Sequence, residues 1–444
     1  MTTPRAREPR ILIIGGGYVG MYTALRLQRR LRPGEAKITV VDPVSYMTYQ
    51  PFLPEAAAGN LEPRHVVVPL RGVLPKADIL NGRVTRVDHA SRMAWVLPYE
   101  GAEFAISYDI LVMAPGSVAR TLPIPGLAEV GIGFKTVGEA IYLRNHVLNR
   151  LDVAATTDDP AIRKRALSFC VIGGGYAGIE CLAELEDMAR DATRFYPSLT
   201  PRDMRWVLVE ATDRILPEVS ESMGVYTVEQ LRARNIEVRL STRVNTLVGG
   251  HVVLDDGSEF DADTVIWTAG VKPNPLVRDT DLPIDDKGRV PATEFLSVNG
   301  VDDAWVAGDC AAVPDLTKPG QFTGPSAQHA VRQASRLGDN IIAKLRGQPL
   351  RPYRHAYAGS VASLGLHKGV AEVYGIKLRG MPAWWMHRTY HLARVPTLNR
   401  KVRVVTDWTI ALFFRREIVS LGSLQRPREE WERIALPEGS SRAS

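Results

Sequence analysis

The sequence predicts an α/β protein with two Rossmann-like dinucleotide-binding domains and a C-terminal membrane-associating segment. Three observations support the two domains. A glycine-rich turn follows the apolar residues 11–14, the same pattern returns after residues 169–172, and each copy is followed by a strand that ends in an acidic residue. In a parallel sheet, a turn of this kind binds the pyrophosphate of a dinucleotide at the start of a helix.

The first turn places Gly15, Gly17 and Gly20 at the GxGxxG spacing. The first glycine permits the tight turn, the second lets a pyrophosphate approach the backbone, and the third lets helix and strand pack closely. Residues 37–41 are predicted to form the next strand, which ends at Asp42. This is roughly the 20-residue spacing from which a carboxylate reaches a ribose hydroxyl. The alternative is that Asp42 is a turn residue at a strand end, since a proline follows it.

The second turn repeats the spacing with Gly173, Gly175 and Gly178. The following strand ends at Glu210, and we interpret residues 190–204 as an inserted loop that lengthens the usual spacing. A carboxylate at this position binds a ribose diol and repels a 2′-phosphate, which favours NADH over NADPH; capping of the strand is the alternative. Two dinucleotide sites in one chain indicate electron transfer from one dinucleotide to the other.

The composition is that of an ordinary globular protein of two or three domains. The 444 residues are 45% hydrophobic and 23% charged, with a net charge of +6, which suits anionic surfaces or substrates. We expect no nucleic-acid partner. Cys170, Cys181 and Cys310 form no CxxC pair, which favours a reducing compartment over a disulfide framework. We expect no signal peptide and no bilayer-spanning helix, because the first ten residues are polar and no long apolar run exists. We also expect no metal site, because electron transfer between two dinucleotides is the chemistry of the cofactors themselves.

The remaining pattern predicts further elements around the two turns. In chain order these are strands within 79–112, a helix at 137–151, a polar linker at 156–165, a helix and a strand within 219–240, a hairpin at 252–260, and a strand at 263–269. A last buried strand ends in Gly308 and Asp309, before a helix that begins near Gln328. The glycine allows close approach of a ligand, and the Asp309 carboxylate can accept hydrogen bonds from a flavin ribityl chain.

Five motifs, in this order and spacing, resemble those of type II NADH dehydrogenases, which are single-subunit, non-proton-pumping NADH:quinone oxidoreductases. The motifs are residues 11–20, 173–180, 267–271, 307–309 and 327–330, and the resemblance covers about residues 10–425. It implies an FAD domain at 10–125 and 291–350, interrupted by an inserted NADH domain at 165–290. A membrane-associating or interface region at 351–427 and a disordered tail at 428–444 complete the expected organisation.

The resemblance also implies which residues bind the two cofactors. FAD is expected to contact Gly15, Gly17, Gly20, Asp42, Gly308 and Asp309. NADH is expected to contact Gly173, Gly175, Gly178 and Glu210, with Glu180 near the nicotinamide.

The helix that follows the Gly-Asp turn departs from the family pattern Ala-Gln-x-Ala-x-Gln. Gln328 matches, whereas Arg332 replaces the second glutamine and Gln333 comes one position late. Positions 328 and 332 share a helix face, so we expect Arg332 to project where the amide would lie. Its cation would bond a quinone carbonyl or stabilise an anionic flavin or quinol; alternatively, it indicates a different acceptor. Glu180, Gln328 and Arg332 are therefore the candidate catalytic residues.

Residues 376–426 combine basic and aromatic side chains. Ten lysines and arginines face only Asp407 and Glu417 in this segment. The interleaved aromatic residues are Trp384, Trp385, Trp408, Phe413 and Phe414. This combination is typical of a helix that lies on an anionic lipid surface. The alternatives are a solvated basic face around a small core and a contact in a homodimer.

With the resemblance, these features predict a peripheral flavoenzyme on the cytoplasmic face of the cell membrane. It would pass a hydride from NADH to FAD and two electrons on to menaquinone or ubiquinone. Two alternatives remain: a soluble NAD(P)H-dependent flavin reductase with a non-quinone acceptor, and a non-enzymatic redox sensor or assembly protein. Disulfide reductase and sulfide:quinone reductase chemistry both need cysteines beside the flavin, and none of the three is placed for that work.

Overall fold

The computed structural model describes residues 7–355 and 359–421 of the chain. In this part, the α-helices are α1 (Tyr18–Arg30), α2 (Leu53–Ala57), α3 (Leu70–Val73), α4 (Leu127–Val130), α5 (Val137–Thr156), α6 (Pro160–Ala166), α7 (Tyr176–Ala192), α8 (Glu221–Arg232), α9 (Ala327–Leu345), α10 (Met381–Arg394) and α11 (Leu398–Phe413).

The strands of the same residues are β1 (Arg10–Ile14), β2 (Lys37–Asp42), β3 (Tyr46–Thr48), β4 (Val67–Pro69), β5 (Ala77–Asp88), β6 (Met93–Pro98), β7 (Phe104–Ser107), β8 (Ile110–Met113), β9 (Ser117–Ala119), β10 (Gly131–Gly133), β11 (Ser168–Ile172), β12 (Arg205–Val209), β13 (Ile236–Arg239), β14 (Val244–Thr246), β15 (His251–Leu254), β16 (Glu259–Asp261), β17 (Thr264–Trp267), β18 (Val271–Pro273), β19 (Val290–Pro291), β20 (Ala304–Val306), β21 (Ala311–Ala312), β22 (Gly359–Ser363), β23 (Gly369–Val373) and β24 (Ile376–Arg379).

The chain divides into two compact units by its internal contacts. The described part of the first unit comprises residues 7–49, 67–120 and 270–355; the second comprises 50–66, 121–269 and 359–421. The second unit thus contains the glycine turn at 173–178 together with the C-terminal strands and helices. The predicted tail at 428–444, and the end of the predicted interface region beyond residue 421, lie outside the described residues.

The first unit is built on a seven-stranded sheet with the order β20-β8-β1-β2-β5-β6-β7. Strands β20, β8, β1, β2 and β5 are parallel, and β6 and β7 continue the sheet antiparallel. The central strand β1 is buried from Ile11 to Ile14, as expected for a parallel strand covered on both faces. Helix α1 packs against α9, and Arg26 and Arg30 of α1 contact the Asp339 carboxylate of α9 at 2.8 and 2.5 Å.

The second unit contains a five-stranded parallel sheet with the order β10-β17-β11-β12-β13. Strand β11 is buried at every position and lies between β17 and β12. The unit also holds two antiparallel three-stranded sheets, β14-β15-β16 and β22-β23-β24, and helices α10 and α11 follow the latter. In each unit a buried strand with parallel neighbours on both sides is followed by a glycine turn and a helix, which confirms the predicted α/β fold class with two Rossmann-like domains.

One predicted element is wrong. Residues 156–165 were expected to be a polar linker, but α5 extends to Thr156 and α6 begins at Pro160. The Asp159 carboxylate caps α6 by accepting hydrogen bonds from the N–H groups of Ala161 and Ile162, at 2.8 and 3.3 Å. An N-cap aspartate followed by proline at the first helical position is a helix-start signal, and here it outweighs the polarity of the segment.

The inserted loop also differs from its predicted bounds, because α7 continues to Ala192 and only residues 193–204 separate it from β12. No helix among the described residues combines the length and the apolar character that a bilayer span requires.

Candidate functional site

The first glycine turn has the geometry of a dinucleotide cradle. Gly15 adopts a φ of +100°, and a Cβ added there would lie 2.3 Å from the carbonyl oxygen of Ala114. A Cβ at Gly20 would lie 1.7 Å from the carbonyl oxygen of Gly15. At Gly17, by contrast, an added Cβ would meet no atom within 4 Å. Close packing therefore leaves no room for a side chain at Gly15 and Gly20, while Gly17 borders open space.

The carboxylate that follows this turn holds the turn itself. Asp42 accepts hydrogen bonds from the N–H groups of Gly16, at 2.5 Å, and Val44, at 2.7 Å. Burial raises the pKa of Asp42, and these two hydrogen bonds oppose the shift. The Asp42 side chain thus lies at the end of β2, beside the turn, which is where a carboxylate that bonds the ribose is expected. Its hydrogen bond to Gly16 also connects β2 to the turn.

The second glycine turn reproduces the first in detail. Gly173 has a φ of +115°, a Cβ at Gly178 would lie 1.9 Å from the carbonyl oxygen of Gly173, and Gly175 borders open space. Glu210 takes the place of Asp42, since its Oε2 accepts a hydrogen bond from the N–H of Gly174 at 2.6 Å. The sequence repeat is therefore also a repeat of packing and hydrogen bonding.

The other oxygen of Glu210 is held by a neighbouring residue. Oε1 accepts hydrogen bonds from the N–H and the hydroxyl of Thr212, both at 2.8 Å. The carboxylate is thereby fixed at the end of β12, close to the turn. This is the position from which an acidic side chain bonds the ribose of a bound dinucleotide.

Both cradles fit the phosphates of a dinucleotide. Gly17 and Gly175 are the N-cap residues of α1 and α7, and neither helix has a side chain that caps its first turn. The first N–H groups of a helix then remain available to an anion, which the helix dipole also attracts. Open space at the middle glycine and a helix start without a side-chain cap give each unit a turn that fits an anion.

The Gly-Asp turn of the first unit is held by an amide that the sequence reasoning did not assign. Gln333 is buried, and its Oε1 accepts a hydrogen bond from the N–H of Gly308 at 2.8 Å while its Nε2 donates to the Thr323 hydroxyl at 3.1 Å. Gly308 has a φ of +77°, and the Ser117 hydroxyl donates to the Asp309 carboxylate at 2.6 Å. Helix α9 thus fixes the turn through Gln333.

The signal for Gln333 was present in the sequence. Ala330, Ala334, Leu337 and Ile341 recur at helical spacing and form the buried face of α9, and position 333 falls on that face. The glutamine that is one position late in the family pattern is therefore directed inward, toward Gly308.

Gln328 and Arg332 lie in the first turns of α9 and are both partly exposed. The Arg332 guanidinium donates a hydrogen bond to the backbone carbonyl of Gln328 at 3.0 Å, so its cation lies along its own helix. Next to it, His329 Nδ1 is 2.8 Å from the Tyr353 hydroxyl. Burial, with a smaller contribution from the Arg332 charge, lowers the pKa of His329.

Glu180 lies in α7, two residues beyond Gly178, and is buried. Its Oε1 accepts a hydrogen bond from the N–H of Ser363 at 2.9 Å and lies 3.1 Å from Nε2 of His387. Neither Ser363 nor His387 was assigned from the sequence. Both are remote from the glycine turn in the chain, and no local pattern marks them.

The tryptophans of the C-terminal segment do not share one environment. Trp384 and Trp408 are buried, and the Arg388 guanidinium lies over their rings at 4.0 and 4.7 Å from the ring centroids. Trp385 and Phe413 are exposed. Exposed side chains such as Trp385 and Phe413 can contact a lipid surface, whereas the buried Trp384 and Trp408 cannot.

The three cysteines are buried and unpaired. Burial raises the pKa of the Cys170 and Cys310 thiols to about 12, and that of Cys181 well above its usual value. A thiol with a raised pKa carries almost no thiolate at neutral pH, and the thiolate is the form that reacts with disulfides.

Comparison with known proteins gives consistent relationships. The family model for pyridine nucleotide-disulphide oxidoreductases matches residues 9–334. A protein of Staphylococcus aureus named type II NADH:quinone oxidoreductase is 29% identical over 384 residues, covering 85% of this chain and 93% of its own. A demethylphylloquinone reductase of Synechocystis is 29% identical over 408 residues, with 90% and 96% covered. The structure of Plasmodium falciparum NDH2 in complex with NADH superposes with a TM-score of 0.85 at 18% identity, over 93% of this chain and all of that one.

Proposed function

Because the chain belongs to the pyridine nucleotide-disulphide oxidoreductase family, we propose that it is a flavoenzyme that oxidises NADH and reduces a membrane quinone without pumping protons. The observation that carries this proposal is the duplicated cradle, in which each glycine turn is tied to a carboxylate at the end of the next strand. Relatives that cover most of the chain carry NADH:quinone oxidoreductase names, and the NDH2 neighbour binds NADH.

The first unit would hold FAD, and the second would hold NADH. When bound, FAD accepts a hydride from NADH and passes two electrons to the quinone. The residues of the chain bind and orient the cofactors. Gly15, Gly17, Gly20 and the N-terminus of α1 would hold the FAD phosphates, Asp42 would bond the adenosine ribose, and Asp309 would bond the ribityl chain beside Gly308.

For NADH, Gly173, Gly175, Gly178 and the N-terminus of α7 receive the pyrophosphate. Glu210 bonds the ribose diol and disfavours the extra phosphate of NADPH, because two anions would then face each other at the end of β12.

A quinone suits this protein better than a disulfide acceptor, despite the name of the family. All three thiols are buried with raised pKa values, so the chain has no reactive thiolate to relay electrons. Gln328 and Arg332, on the first turns of α9, are the residues we assign to quinone contact. One relative is named as a ubiquinone oxidoreductase and another as a demethylphylloquinone reductase. Both menaquinone and ubiquinone are therefore candidates for this protein.

Helix α11 supports a peripheral attachment to lipid. Leu398, Val402, Val405 and Leu412 recur at helical spacing and are 42–76% exposed, while Val404 and Trp408 of the same helix are buried. Phe413 extends the apolar face at 79% exposure. Basic side chains of the same helix, among them Lys401 and Arg403, would meet anionic headgroups. We assign this face to the cytoplasmic leaflet, whose anionic lipids attract basic residues.

Two experiments test the proposal. Purified protein is expected to carry FAD, to lose the flavin absorbance on addition of NADH and to regain it on addition of a short-chain quinone. A colourless protein that takes up no flavin would refute the proposal. Flavin that is reduced by NADH but never reoxidised by quinone would refute the acceptor.

The second experiment is flotation with anionic liposomes. Replacing Leu412 and Phe413 by serine should release the protein from the vesicles. The matched control replaces Val225 and Val248, which are 53% and 60% exposed in the same unit, and should leave flotation unchanged. Equal flotation of both variants would refute the lipid face, and a change from dimer to monomer in the first variant would assign that face to a homodimer.

One observation favours a second candidate, a soluble NAD(P)H-dependent flavin reductase with a non-quinone acceptor. Arg332 stands where the family carries glutamine and is bonded along its own helix. Quinone turnover that is absent in the wild type but appears in Arg332→Gln would support this candidate over the first.

A further inference from the structure

One histidine of the second unit joins the helix that we assign to lipid to the rest of that unit. His65 ends the short helical turn Pro63–His65, and its side chain is 16% exposed. Helix α11 packs against this turn, and its residues Arg403 and Asp407 contact the two ring nitrogens of His65. We call these three residues the imidazole bridge.

Asp407 is the single acidic residue of α11, and it lies on the covered side of the helix with Val404 and Trp408. Its Oδ2 accepts a hydrogen bond from the N–H of Glu62 at 3.1 Å and lies 2.6 Å from Nδ1 of His65. The carboxylate is thus turned toward the protein and away from an anionic surface that would repel it.

Two cations of the same part of α11 meet uncharged acceptors. The Arg400 guanidinium donates to the backbone carbonyl of Arg64 at 3.0 Å, and the Arg403 guanidinium donates to Oδ1 of Asn399 at 3.1 Å. Burial, followed by the charge of Arg403, lowers the pKa of Arg400. The two guanidiniums therefore lie close enough to repel each other.

The contacts of His65 determine where its proton is. Nη1 of Arg403 lies 3.3 Å from Nε2 of His65. A guanidinium has N–H donors and no acceptor, so Nε2 accepts this hydrogen bond and carries no proton. The proton of the imidazole is then on Nδ1, from which it is donated to Asp407. In this arrangement His65 is neutral and lies between a cation and an anion.

A second proton on His65 would break one of these contacts and strengthen the other. It would bind Nε2 and point at the Arg403 guanidinium, so that two cations and two donors would face each other. The bond from Nδ1 to Asp407 would become charge-assisted and would hold α11 in place. Arg403 is exposed and lies one turn before Asp407 on the helix, so its side chain would turn outward.

Three further charged side chains lie near His65. Glu62 and Arg64 of the same turn form an ion pair at 2.8 Å. On α5, burial lowers the pKa of Arg144, against the charges of Glu417 and Glu62. Carboxylates and guanidiniums ordinarily keep their charges in the range where an imidazole titrates. A change of net charge in that range therefore comes from the imidazole.

The added charge would matter at a membrane. Arg400, Arg403 and Asp407 together carry one net positive charge, and a proton on His65 raises it to two. Each basic residue near an anionic lipid surface strengthens binding about fivefold.

We propose that His65 makes the lipid attachment of α11 depend on pH: protonation of the imidazole releases Arg403 to anionic headgroups and tightens binding as the pH falls. The inference rests on the lipid face assigned in the proposed function. By thermodynamic linkage, lipid binding must increase the proton affinity of His65 by the same factor. The negative potential of an anionic membrane, which concentrates protons at its surface, acts in the same direction.

The first test measures binding to vesicles of phosphatidylglycerol, whose phosphates stay ionised between pH 5.5 and pH 8. Full-length protein is expected to bind about fivefold more tightly at pH 5.5 than at pH 8. His65→Gln should lose this dependence, because glutamine can donate to Asp407 and accept from Arg403 but cannot gain a charge. Wild-type binding that is the same at both pH values, or an unchanged dependence in His65→Gln, would overturn the inference.

Two further variants and a second lipid serve as controls. His251→Gln removes an exposed histidine of the same unit, which pairs with Asp261 at 2.7 Å, and should keep the fivefold dependence; its loss there too would count against His65. His65→Lys carries a permanent charge and should bind at pH 8 as the wild type does at pH 5.5. A folded His65→Lys protein that binds as weakly at pH 8 as the wild type would contradict the inference. Uncharged phosphatidylcholine vesicles should show no pH dependence.

The second test needs no lipid. In protein with isotope-labelled histidine, the NMR signals lost in His65→Gln identify His65. At pH 8 these signals should be those of a neutral imidazole with its proton on Nδ1, and they should change to those of an imidazolium as the pH falls to 5.5. A proton on Nε2 at pH 8, or a neutral imidazole at both pH values, would overturn the inference.

The lipid face and the imidazole bridge fail differently in these tests. Protein that stays off anionic vesicles at every pH refutes the lipid face of the proposed function, and the inference falls with it. Protein that binds the vesicles equally at both pH values keeps the lipid face and overturns only the role of His65.

Discussion

At the scale of single residues, a carboxylate ties each nucleotide cradle together. Asp42 and Glu210 accept a hydrogen bond from the middle backbone N–H of their respective glycine turns, Gly16 and Gly174. The same side chain therefore shapes the turn and, in the proposed function, faces the ribose. A substitution at either position is expected to affect both folding of the turn and choice of nucleotide.

Glu210→Gln tests nucleotide choice, because glutamine keeps an oxygen for the N–H of Gly174 but removes the charge. The ratio of kcat/KM for NADPH to that for NADH is expected to rise about tenfold, which corresponds to about 1.4 kcal/mol. Steady-state kinetics with each nucleotide measures this ratio. The exposed Glu218→Gln is the control, and an unchanged ratio in Glu210→Gln would show that the carboxylate does not face the ribose.

Glu184→Gln tests a second buried carboxyl through the dependence of stability on pH. The pKa of Glu184 is about 7 in the folded protein, against an ordinary value of 4.5. Between these values the folded protein binds more protons than the unfolded chain, so this residue lowers the free energy of unfolding as the pH rises from about 4.5 to about 7. The full effect is about 3 kcal/mol.

Glutamine does not ionise, so the variant should gain stability relative to the wild type as the pH rises through this window. Thermal melts at pH 5 and pH 7.5 measure the difference. Melting temperatures that differ by the same amount at both pH values would contradict the raised pKa.

At the scale of elements, α9 links the Gly-Asp turn to the body of the first unit. One face of the helix is apolar and buried, and Gln333 on that face bonds Gly308 and Thr323. Because the glutamine comes one position later than in the family pattern, its amide at position 333 is buried in the unit. Arg332, at the position where the family has glutamine, bonds the surface of its own helix.

Gln333→Ala is expected to leave the N–H of Gly308 without its acceptor, at a cost of about 1–3 kcal/mol. We expect weaker FAD retention, measured as the flavin released in a thermal or dilution assay. Arg332→Gln on the same helix should retain FAD as the wild type does. Equal loss of FAD from both variants would show that FAD retention does not depend on the hydrogen bond between Gln333 and Gly308.

At the scale of the whole molecule, the two proposed anion sites can be closed independently. Gly17 and Gly175 border open space and have φ values of −70° and −77°, which any residue can adopt. Valine at either position should therefore leave the fold intact and fill the space for the pyrophosphate.

Gly17→Val is expected to give a folded but colourless protein that still binds NADH. Gly175→Val should remain yellow but lose reduction by NADH at least 100-fold, while a chemical reductant still reduces its flavin. Absorbance spectra and NADH titrations distinguish the two variants, and each serves as the control for the other. Retention of flavin by Gly17→Val would reverse our assignment of the two cradles.

The sequence by itself determined both cradles, because each is a strand, a turn and a helix formed by consecutive residues. Glycine at Gly15 and Gly20, and again at Gly173 and Gly178, is required by local backbone geometry and close contacts, and Gly17 and Gly175 leave open space in each turn; the spacing of one motif reveals all of them. The acidic residues Asp42 and Glu210 follow from the same rule, since they end the next strand in the sheet.

Only the tertiary structure decided which side chains meet from distant parts of the chain. Gln333 reaches Gly308, Trp408 and Arg388 reach Glu55, and His387 reaches Glu180 across about 200 residues of sequence. Such contacts depend on how helices and sheets pack, and no local pattern records packing. The sequence therefore predicted the two glycine turns and their carboxylates, and the fold revealed the buried charges that surround Glu180.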